Sequence, residues 1–336
     1  MADFYHPKTF FMKKLILMLP LVIFFSLGCK NTSMPKDDSE ATIEEPTATI
    51  RNCAAYDVLE EQLKQDPSLR ERMDNIEAFT SRFANTPESQ RLLASGIIEI
   101  PVVVNVLYKT AAQNISQAQI QSQIDVLNED YGGTNADHNL TSTYNSVKSG
   151  DIRVRFVLDH IVRKSTSKTS WGTNDGMKKS AQGITPSSPT TKLNLWVCNL
   201  GGGILGYAQF PGGSSATDGV VIDDNALGRT GTAAAPFNKG RTATHEVGHW
   251  LNLRHIWGDA NCGNDLVGDT PLHNAANFGC PAAGHKSTCT GKPVEMTMNY
   301  MDYTDDACMY MFSVGQKTRM QAVFASGGPR NGFAKP

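Results

Sequence analysis

The chain has 336 residues, 40% of them hydrophobic, which is enough apolar material for one large or two modest domains with a real core. Its formal net charge is −2, and no dense basic cluster occurs outside the N-terminus. These features exclude nucleic acid as an expected partner, because domains that bind it normally carry a basic face.

The first 29 residues have the features of an export signal. Two lysines follow Met12, an apolar run comes next, and small residues precede Cys29. Residues 1–11 are interpreted as an upstream extension that results from a wrongly assigned translation start. "SLGC" resembles a bacterial lipobox, although Ser26 stands where Leu is usual. We expect either a lipidated Cys29 at the bacterial cell surface or outer membrane, with the lipid as the sole membrane contact, or plain secretion.

Two segments precede the main domain. Residues 30–50 are polar and acidic with two prolines, which predicts a flexible tether. Residues 51–95 show helical spacing at Val58 and Leu63, and Pro67 interrupts the pattern. The sequence therefore predicts a small helical segment between the tether and the main domain.

The main domain, residues 96–336, opens with a strand and a helix. "GIIEIPVVVNVLY" is rich in β-branched residues and predicts a strand, and Ser116 can cap the helix that follows. Further strands are predicted in "IRVRFVLDH", "KLNLWVCNL" and "DGVVIDD", and a helix in "NKGRTATHEVGHWLN". After His255 the chain is rich in Gly, Pro, Asp and Cys, so disulfides are expected to substitute for a packed core.

"HEVGHWLNLRH" places three of the eight histidines at gaps of four and six residues. On a helix, His245 and His249 project from one face, so both imidazoles can reach one metal ion. His255 can join them only if the helix ends first, because six residues at about 100° each would put it on the far side. Asn252 can end the helix, since Asn tolerates the left-handed conformation. Three neutral histidines plus a water form the open tetrahedral site of catalytic zinc.

Glu246 stands beside the first of these ligands. There it can take a proton from water at the metal, the general-base role in peptide hydrolysis. One alternative is a chance motif on an amphipathic helix, and a second is a structural zinc site, which has no need of Glu246. A protease class that uses a downstream Glu as third ligand is disfavoured, because His255 already fills that place.

"HEVGHWLNLRH" together with "MNYMDY" resembles the metzincin metalloproteases, and within them the pappalysin family, particularly its shorter bacterial members. The likeness extends from about Arg51 to the end, through "LNLWVCNLGGGILGYAQFPG", "TDGVVI", "VGDTP", "MDYTDDAC" and "MFSVGQKTRM". It implies an α+β fold: a twisted, mainly parallel sheet with one antiparallel edge strand, an active-site helix and a loop-rich, disulfide-bonded C-terminal subdomain. The upper subdomain would reach to about residue 255, and the lower one would span residues 256–336.

The resemblance also implies roles for residues near the metal. Met301 would form the Met-turn beneath the zinc histidines, and Tyr303 would hydrogen-bond the tetrahedral oxyanion. Ordinary core packing is the alternative for both. The family more often has Gly where this chain has Asn252, a departure that concerns the geometry of the turn.

"GGGILGYAQF" resembles the family's edge strand, against which an extended substrate lies antiparallel. Such an edge offers main-chain hydrogen bonds without demanding particular side chains. The alternative is a glycine turn into an internal strand. The candidate edge residues are Gly203, Ile204, Leu205, Gly206 and Tyr207.

Cysteines after the export signal are disulfide candidates. Four crowd into the C-terminal quarter and allow three pairings; the family pattern suggests Cys262 with Cys289 and Cys280 with Cys308. Cys198 lies in an apolar strand and is most simply a buried free thiol.

Cys53, in "RNCAAYD", has two interpretations. Shorter relatives carry a similar segment in the propeptide, whose thiolate occupies the fourth zinc position, so residues 51–95 would be a prosegment removed by cleavage before "GIIEIPVVV". The alternative is a disulfide between Cys53 and Cys198.

The loop "NDLVGDTP" offers hard oxygen ligands suited to a structural calcium ion, and relatives bind calcium there. A solvated acidic loop is the alternative. Some relatives also prefer a basic residue after the scissile bond and carry an acidic residue beyond the fourth cysteine, where this chain has Met309; an apolar or mixed preference is therefore expected. The candidate calcium ligands are Asp265, Val267, Asp269 and Thr270.

These features together predict an exported, monomeric zinc endopeptidase, made as a latent precursor, that hydrolyses extended polypeptide substrates. The rival is a surface-anchored binding protein that keeps the fold without turnover. Loss of Glu246 or of a zinc ligand would be its signature, and neither is lost.

Overall fold

The computed structural model describes residues 48–86, 96–140 and 142–334. The predicted signal peptide, Cys29 and most of the predicted tether lie outside the described residues. Within these ranges, no helix is both long and apolar enough to cross a membrane.

The segment before the main domain forms two helices, α1 (Ala55–Gln65) and α2 (Ser68–Ala84). Asp66 leaves the helical conformation because the following residue, Pro67, disfavours it. The break falls where the sequence predicts it. Buried side chains of both helices, such as Val58 on α1, pack against the body of the protein.

Five strands form one sheet in the order β2-β1-β3-β5-β4. The β1–β2, β1–β3 and β3–β5 pairs are parallel, and β4 pairs antiparallel with β5 at one edge. The prediction of a mainly parallel sheet with one antiparallel edge strand is confirmed. The strands are β1 (Ile98–Tyr108), β2 (Val154–Ser165), β3 (Leu193–Cys198), β4 (Gly206–Ala208) and β5 (Val220–Asp223).

Two helices pack against the sheet and carry polar groups toward the site. Helix α3 (Gln117–Gly132) begins at Ser116, whose side chain accepts from a backbone N–H, and ends at Gly133 in the left-handed conformation. Helix α5 (Arg241–Trp250) is buried at every residue. It starts three residues later than predicted, because Gly240 takes a left-handed conformation. A short helix α4 (Gly176–Lys179) and a C-terminal helix α6 (Val314–Ala322) complete the set described here.

The region after α5 is mostly loops held by two disulfides. Cys262 bonds to Cys289 and Cys280 to Cys308, with Cα–Cα distances of 5.7 and 5.6 Å. This is the pairing that the family resemblance implies. Each bridge closes a loop of nearly thirty residues, which restricts the unfolded chain.

Candidate metal centre

Helix α5 and the loop after it bring three imidazoles together. The Nε2 atoms of His245 and His249 lie 3.1 Å apart, and those of His249 and His255 also lie 3.1 Å apart. All three side chains are at most 2% exposed. The two histidines one turn apart on α5 and the third beyond its end thus converge as the spacing predicts.

Asn252 makes this convergence possible. Its φ of 73° is left-handed, and it follows the last turn of α5, where its N–H donates to the carbonyl of His249. The N–H of Leu253 then returns to the carbonyl of Gly248. The chain therefore reverses before His255, with Asn in the conformation that glycine more often supplies.

The partners of the other ring nitrogens decide which tautomer each histidine adopts. Nδ1 of His245 faces the carbonyl of Tyr300 at 2.7 Å, and Nδ1 of His249 faces the carbonyl of Leu253 at 2.8 Å. Nδ1 of His255 faces the carboxylate of Asp259. These partners only accept, so each Nδ1 carries the hydrogen and each Nε2 presents a lone pair.

Three lone pairs that point at one another repel unless a cation lies between them. Burial, reinforced by the neighbouring imidazoles, lowers the pKa of His245 and His249 well below the ordinary value, which keeps both rings neutral. Neutral imidazoles with oriented second nitrogens are the donors that zinc takes. The residues present therefore fit a zinc ion.

Cys53 supplies the fourth potential ligand atom. Its Sγ and the three Nε2 atoms all lie within 4.8 Å of one another, and the thiol also donates to a carboxylate oxygen of Glu246 at 3.4 Å. Burial, and then the Glu246 charge, raise the pKa of this thiol well above its ordinary value. Burial likewise raises the pKa of Glu246 to about 8. Cys53 and Cys198 do not bond to each other, and Cys198 lies fully buried in β3.

The residues around Met301 form the floor of the site. Met301 is fully buried in the main core, and a Cβ placed on Gly248 would lie 2.5 Å from its sulfur. Glycine is thus required inside the helix for the methionine to pack beneath the histidines. Met301 was named from the sequence, but Gly248 was missed, although a glycine inside the helical "HEVGH" motif was an available signal.

Tyr303 lies at the edge of the histidine cluster. Its hydroxyl donates to the carbonyl oxygen of Cys53 at 2.9 Å, and its ring stands edge-on to His255 at 5.0 Å. Trp257 stacks on His255, with ring centroids 4.3 Å apart, and also stands edge-on to Tyr303 at 4.7 Å. The phenol therefore already faces a carbonyl oxygen close to the metal position.

The outer edge of β4 is occupied by the segment around Cys53. The N–H of Leu205 donates to the carbonyl of Asn52 at 2.9 Å, and the N–H of Ala54 donates to the carbonyl of Gly206 at 3.0 Å. The two chains run parallel at this point. Among the predicted edge residues, Gly206 and Tyr207 lie in β4, Leu205 contributes its N–H, Gly203 lies in the preceding turn, and Ile204 joins the two.

Arg51 and Asp306 form a buried ion pair that sequence reasoning missed. Their closest atoms are 2.6 Å apart, and both side chains are at most 1% exposed. The other oxygen of Asp306 accepts from the backbone N–H groups of Lys239 and Arg241, at the start of α5. The signals in the sequence were the basic residue two positions before Cys53 and the aspartates in "TDDAC".

Met309, on which the expected preference after the scissile bond depends, is fully buried in the main core. The apolar or mixed preference stays a prediction.

The predicted calcium loop brings some of its candidate ligands together. The Thr270 hydroxyl donates to both carboxylate oxygens of Asp265, at 2.9 and 2.8 Å, and lies 3.0 Å from the carbonyl of Val267. Asp269 points elsewhere and accepts from the Ser313 hydroxyl at the start of α6. Calcium at this loop stays a prediction.

Comparison with known proteins places these features in context. A family model described as "Peptidase_M43: Pregnancy-associated plasma protein-A" matches residues 193–325. An extracellular metalloprotease of Verticillium alfalfae is 34% identical over 239 residues, covering 67% of this chain and 78% of that protein. One from Pyricularia oryzae is 37% identical over 231 residues, covering 66% and 72%.

Solved structures of a bacterial protein are similar over most of the chain. A promirolysin mutant of Tannerella forsythia superposes with a TM-score of 0.76 at 41% identity, covering 84% of this chain and 97% of that one. Mature mirolysin from the same organism, in complex with a cleaved peptide, superposes with a TM-score of 0.68 at 46% identity, covering 71% and 96%.

Proposed function

The chain belongs to the pappalysin (Peptidase_M43) family of metzincins and is a metallopeptidase of that type, and on this premise we propose that it is an exported zinc endopeptidase, made as a latent zymogen, that hydrolyses peptide bonds in extended polypeptides. The observation that carries the proposal is the convergence of three Nε2 lone pairs, from His245, His249 and His255, with Cys53, whose thiol contacts the carboxyl group of Glu246 at 3.4 Å.

Zinc bound by these histidines supplies Lewis-acid chemistry: it polarises a substrate carbonyl and lowers the pKa of water. Burial of the site from water strengthens every charge interaction within it. The second nitrogens of the ligands are already bonded, so the donor geometry needs no rearrangement when the metal binds.

Two residues would move or stabilise charge during hydrolysis. Glu246 would accept the proton of the attacking water and then deliver it to the leaving amide nitrogen. The Tyr303 hydroxyl would donate to the carbonyl oxygen as negative charge develops on it. Its present bond to the Cys53 carbonyl supports this role, because the same donor reaches a peptide oxygen next to the histidines.

The edge of β4 would position the substrate. Leu205 and Gly206 already offer one donor and one acceptor to the prosegment backbone. A substrate that takes the prosegment's place can use these main-chain groups whatever its side chains are. Extended segments of many sequences would therefore bind, and other subsites would decide which bond is cleaved.

Latency would come from residues 51–95. Cys53 would occupy the fourth zinc position, and the bonds of Asn52 and Ala54 to β4 would block the substrate edge. The buried Arg51–Asp306 pair would hold this segment in place. Cleavage before "GIIEIPVVV" would release the segment and expose the site.

Export is proposed on two grounds. The N-terminal sequence has the features of a signal peptide, and the curated relatives are named extracellular metalloproteases. Lipidation at Cys29, calcium at the Asp265 loop and a monomeric state remain sequence-based parts of the proposal.

The test compares the purified chain with its Glu246→Ala variant on a denatured protein mixture over several days. We expect cleavage by the wild-type chain that appears as the prosegment is lost and stops with a zinc chelator. The variant should bind zinc equally but cleave nothing. If the wild-type chain binds zinc and loses its prosegment to an added protease yet cleaves nothing, the binding-protein alternative is correct.

A further inference from the structure

We infer that Asp175, Lys178 and Tyr207 form a positioning cluster that holds the short edge strand β4 in place for substrate. The inference rests on the proposed function, in which β4 receives the substrate backbone. None of the three residues belongs to the histidine cluster, and of the three only Tyr207 was predicted from the sequence, as one of the residues of the substrate edge.

Strand β4 has only three residues, so its hydrogen bonds to β5 alone hold it weakly. Gly206 offers no side chain, and Ala208 offers one methyl group. Tyr207 is the single long side chain on the strand, and it is fully buried. Anchoring of β4 through side chains therefore depends on Tyr207.

Tyr207 is tied to a buried ion pair. Its hydroxyl donates to the carboxylate of Asp175 at 2.9 Å, and the same oxygen lies 2.9 Å from Nζ of Lys178. Asp175 has a left-handed φ of 59° at the start of α4, which fixes its direction relative to that helix. The hydroxyl thus bonds to a charged acceptor, a stronger bond than one to a neutral group.

The ammonium group of Lys178 holds the cluster together. It is fully buried, donates to the carbonyl of Thr217 at 2.8 Å, and lies 4.9 Å from the ring centroid of Tyr207 and 5.3 Å from that of Trp196. A buried ammonium is costly even when paired, so stability alone does not explain it. The contacts of the Lys178 ammonium group on several sides instead restrict the Tyr207 ring to one position.

The position of β4 matters because the strand lies directly beside the general base. A Cβ placed on Gly206 would lie 3.0 Å from Cγ of Glu246 and 2.8 Å from the carbonyl of Val221. The strand therefore fits between β5 and Glu246 with little room to move. A displaced β4 would have to return to this position before substrate could bind beside Glu246, so displacement would weaken substrate binding.

The cluster should matter more after activation than before it. In the latent form the prosegment also holds this region, through Leu205 and Gly206 and through the bond from Gln62 to Gln209 at 3.3 Å. Those contacts leave with the prosegment. The mature enzyme would then depend on Tyr207 to keep β4 ordered when no substrate is bound.

The test uses Tyr207→Phe in the full chain, which removes the hydroxyl and keeps the ring. The matched control is Tyr144→Phe, which removes a hydroxyl bonded to the carbonyl of Val294, a residue outside β4 and the positioning cluster. After the prosegment is lost, KM and kcat are measured on a peptide of about ten residues. Amide hydrogen exchange of residues 206–209 is measured on the same proteins and on the latent chain.

We expect Tyr207→Phe to raise KM about tenfold with kcat within about twofold, because the lost bond ordered the strand before binding. Exchange at residues 206–209 should accelerate, more in the mature form than in the latent form. Tyr144→Phe should change neither quantity. Unchanged KM and exchange, equal changes in both variants, or a loss confined to kcat would each overturn the inference.

A second pair of variants separates position from charge. Asp175→Asn keeps an oxygen that can accept from the Tyr207 hydroxyl, whereas Asp175→Leu removes it. A smaller rise in KM for Asn than for Leu supports the positioning role, and equal rises contradict it. If the wild-type chain shows no proteolysis, the proposed function fails, while the exchange rates of residues 206–209 still decide whether Tyr207 orders β4.

Discussion

Replacing Arg51 by Met should release the prosegment from the site. The guanidinium group makes three bonds: to Asp306 at 2.6 Å, to the Thr304 carbonyl at 3.1 Å and to the Thr242 hydroxyl at 3.2 Å. Methionine keeps much of the apolar stem but loses all three hydrogen bonds and the contact of the guanidinium group with the Phe237 ring, whose centroid lies 5.0 Å from Cζ of Arg51. The Asp306 carboxylate would remain buried with its basic partner gone.

The size of the effect follows from what Asp306 retains. Breaking a buried ion pair by removing one partner costs about 3–5 kcal/mol. Asp306 keeps two backbone N–H donors at the start of α5, where the helix dipole also favours an anion, so the lower end applies. A loss of about 3 kcal/mol in prosegment docking raises the undocked fraction by roughly 100-fold.

Alkylation of Cys53 measures that fraction directly, because the thiol is buried while the prosegment is docked. Both proteins carry Glu246→Gln to prevent self-cleavage, and peptide mass mapping identifies each labelled cysteine. Cys198 is fully buried in β3, so its labelling reports unfolding of the whole domain. We expect Cys53 to label about 100-fold faster in Arg51→Met, with Cys198 unchanged.

The control is Lys64→Met, which removes a cation from an exposed pair on the same prosegment. Exposed pairs contribute little, so its labelling rate should stay within about twofold of the parent. If Arg51→Met labels no faster than Lys64→Met, the buried ion pair does not hold the prosegment, and the account of latency is wrong.

Three further predictions concern other parts of the molecule. Cys53→Ala should lose its prosegment faster than the wild-type chain and still bind one zinc. Mass spectrometry measures this maturation rate, and equal rates in the two proteins would rule out a cysteine switch. Glu77→Gln should also speed maturation, because Glu77 accepts from Arg319 and from Asn252 at the turn between the zinc histidines; an unchanged rate in the same assay would contradict this. Burial raises the pKa of Asp302 to about 7 from 3.8, so the folded state holds the proton of this carboxyl group more tightly than the unfolded state does. The free energy of unfolding should therefore fall as the pH rises from 4 to 7, by at most about 4 kcal/mol. The variant Asp302→Asn tests this, because denaturant unfolding at several pH values should show a shallower fall of its unfolding free energy than in wild type. Neighbouring His273, whose pKa burial lowers to about 4, acts in the opposite sense in both proteins. Parallel curves of unfolding free energy against pH would refute the assignment to Asp302.

Local patterns were sufficient to predict most of the helices and strands, whereas the arrangement of the sheet was expected from the family resemblance. The β-branched run at β1, the cap at Ser116 and the break at Pro67 each act through neighbouring residues, and each appears in the structure where expected. The reversal at Asn252 could also be predicted, because the third histidine requires it. These features depend on backbone preferences that a few residues determine.

The contacts missed from the sequence join residues far apart in the chain. Arg51 and Asp306 are separated by 255 residues, and no spacing rule relates them. The same holds for Tyr207 and Asp175, which lie 32 residues apart and pair only because the fold brings the start of α4 to β4. Such pairs are decided by tertiary packing, which a single sequence does not reveal.

The most direct test of the account is zinc X-ray absorption spectroscopy of the latent chain and of the same chain after activation. The account predicts one zinc with three nitrogen ligands at about 2.0–2.1 Å and one sulfur at about 2.3 Å in the latent form, with the sulfur absent after activation. A latent form without a sulfur ligand would contradict the role of Cys53. A chain that binds no zinc would contradict the account as a whole.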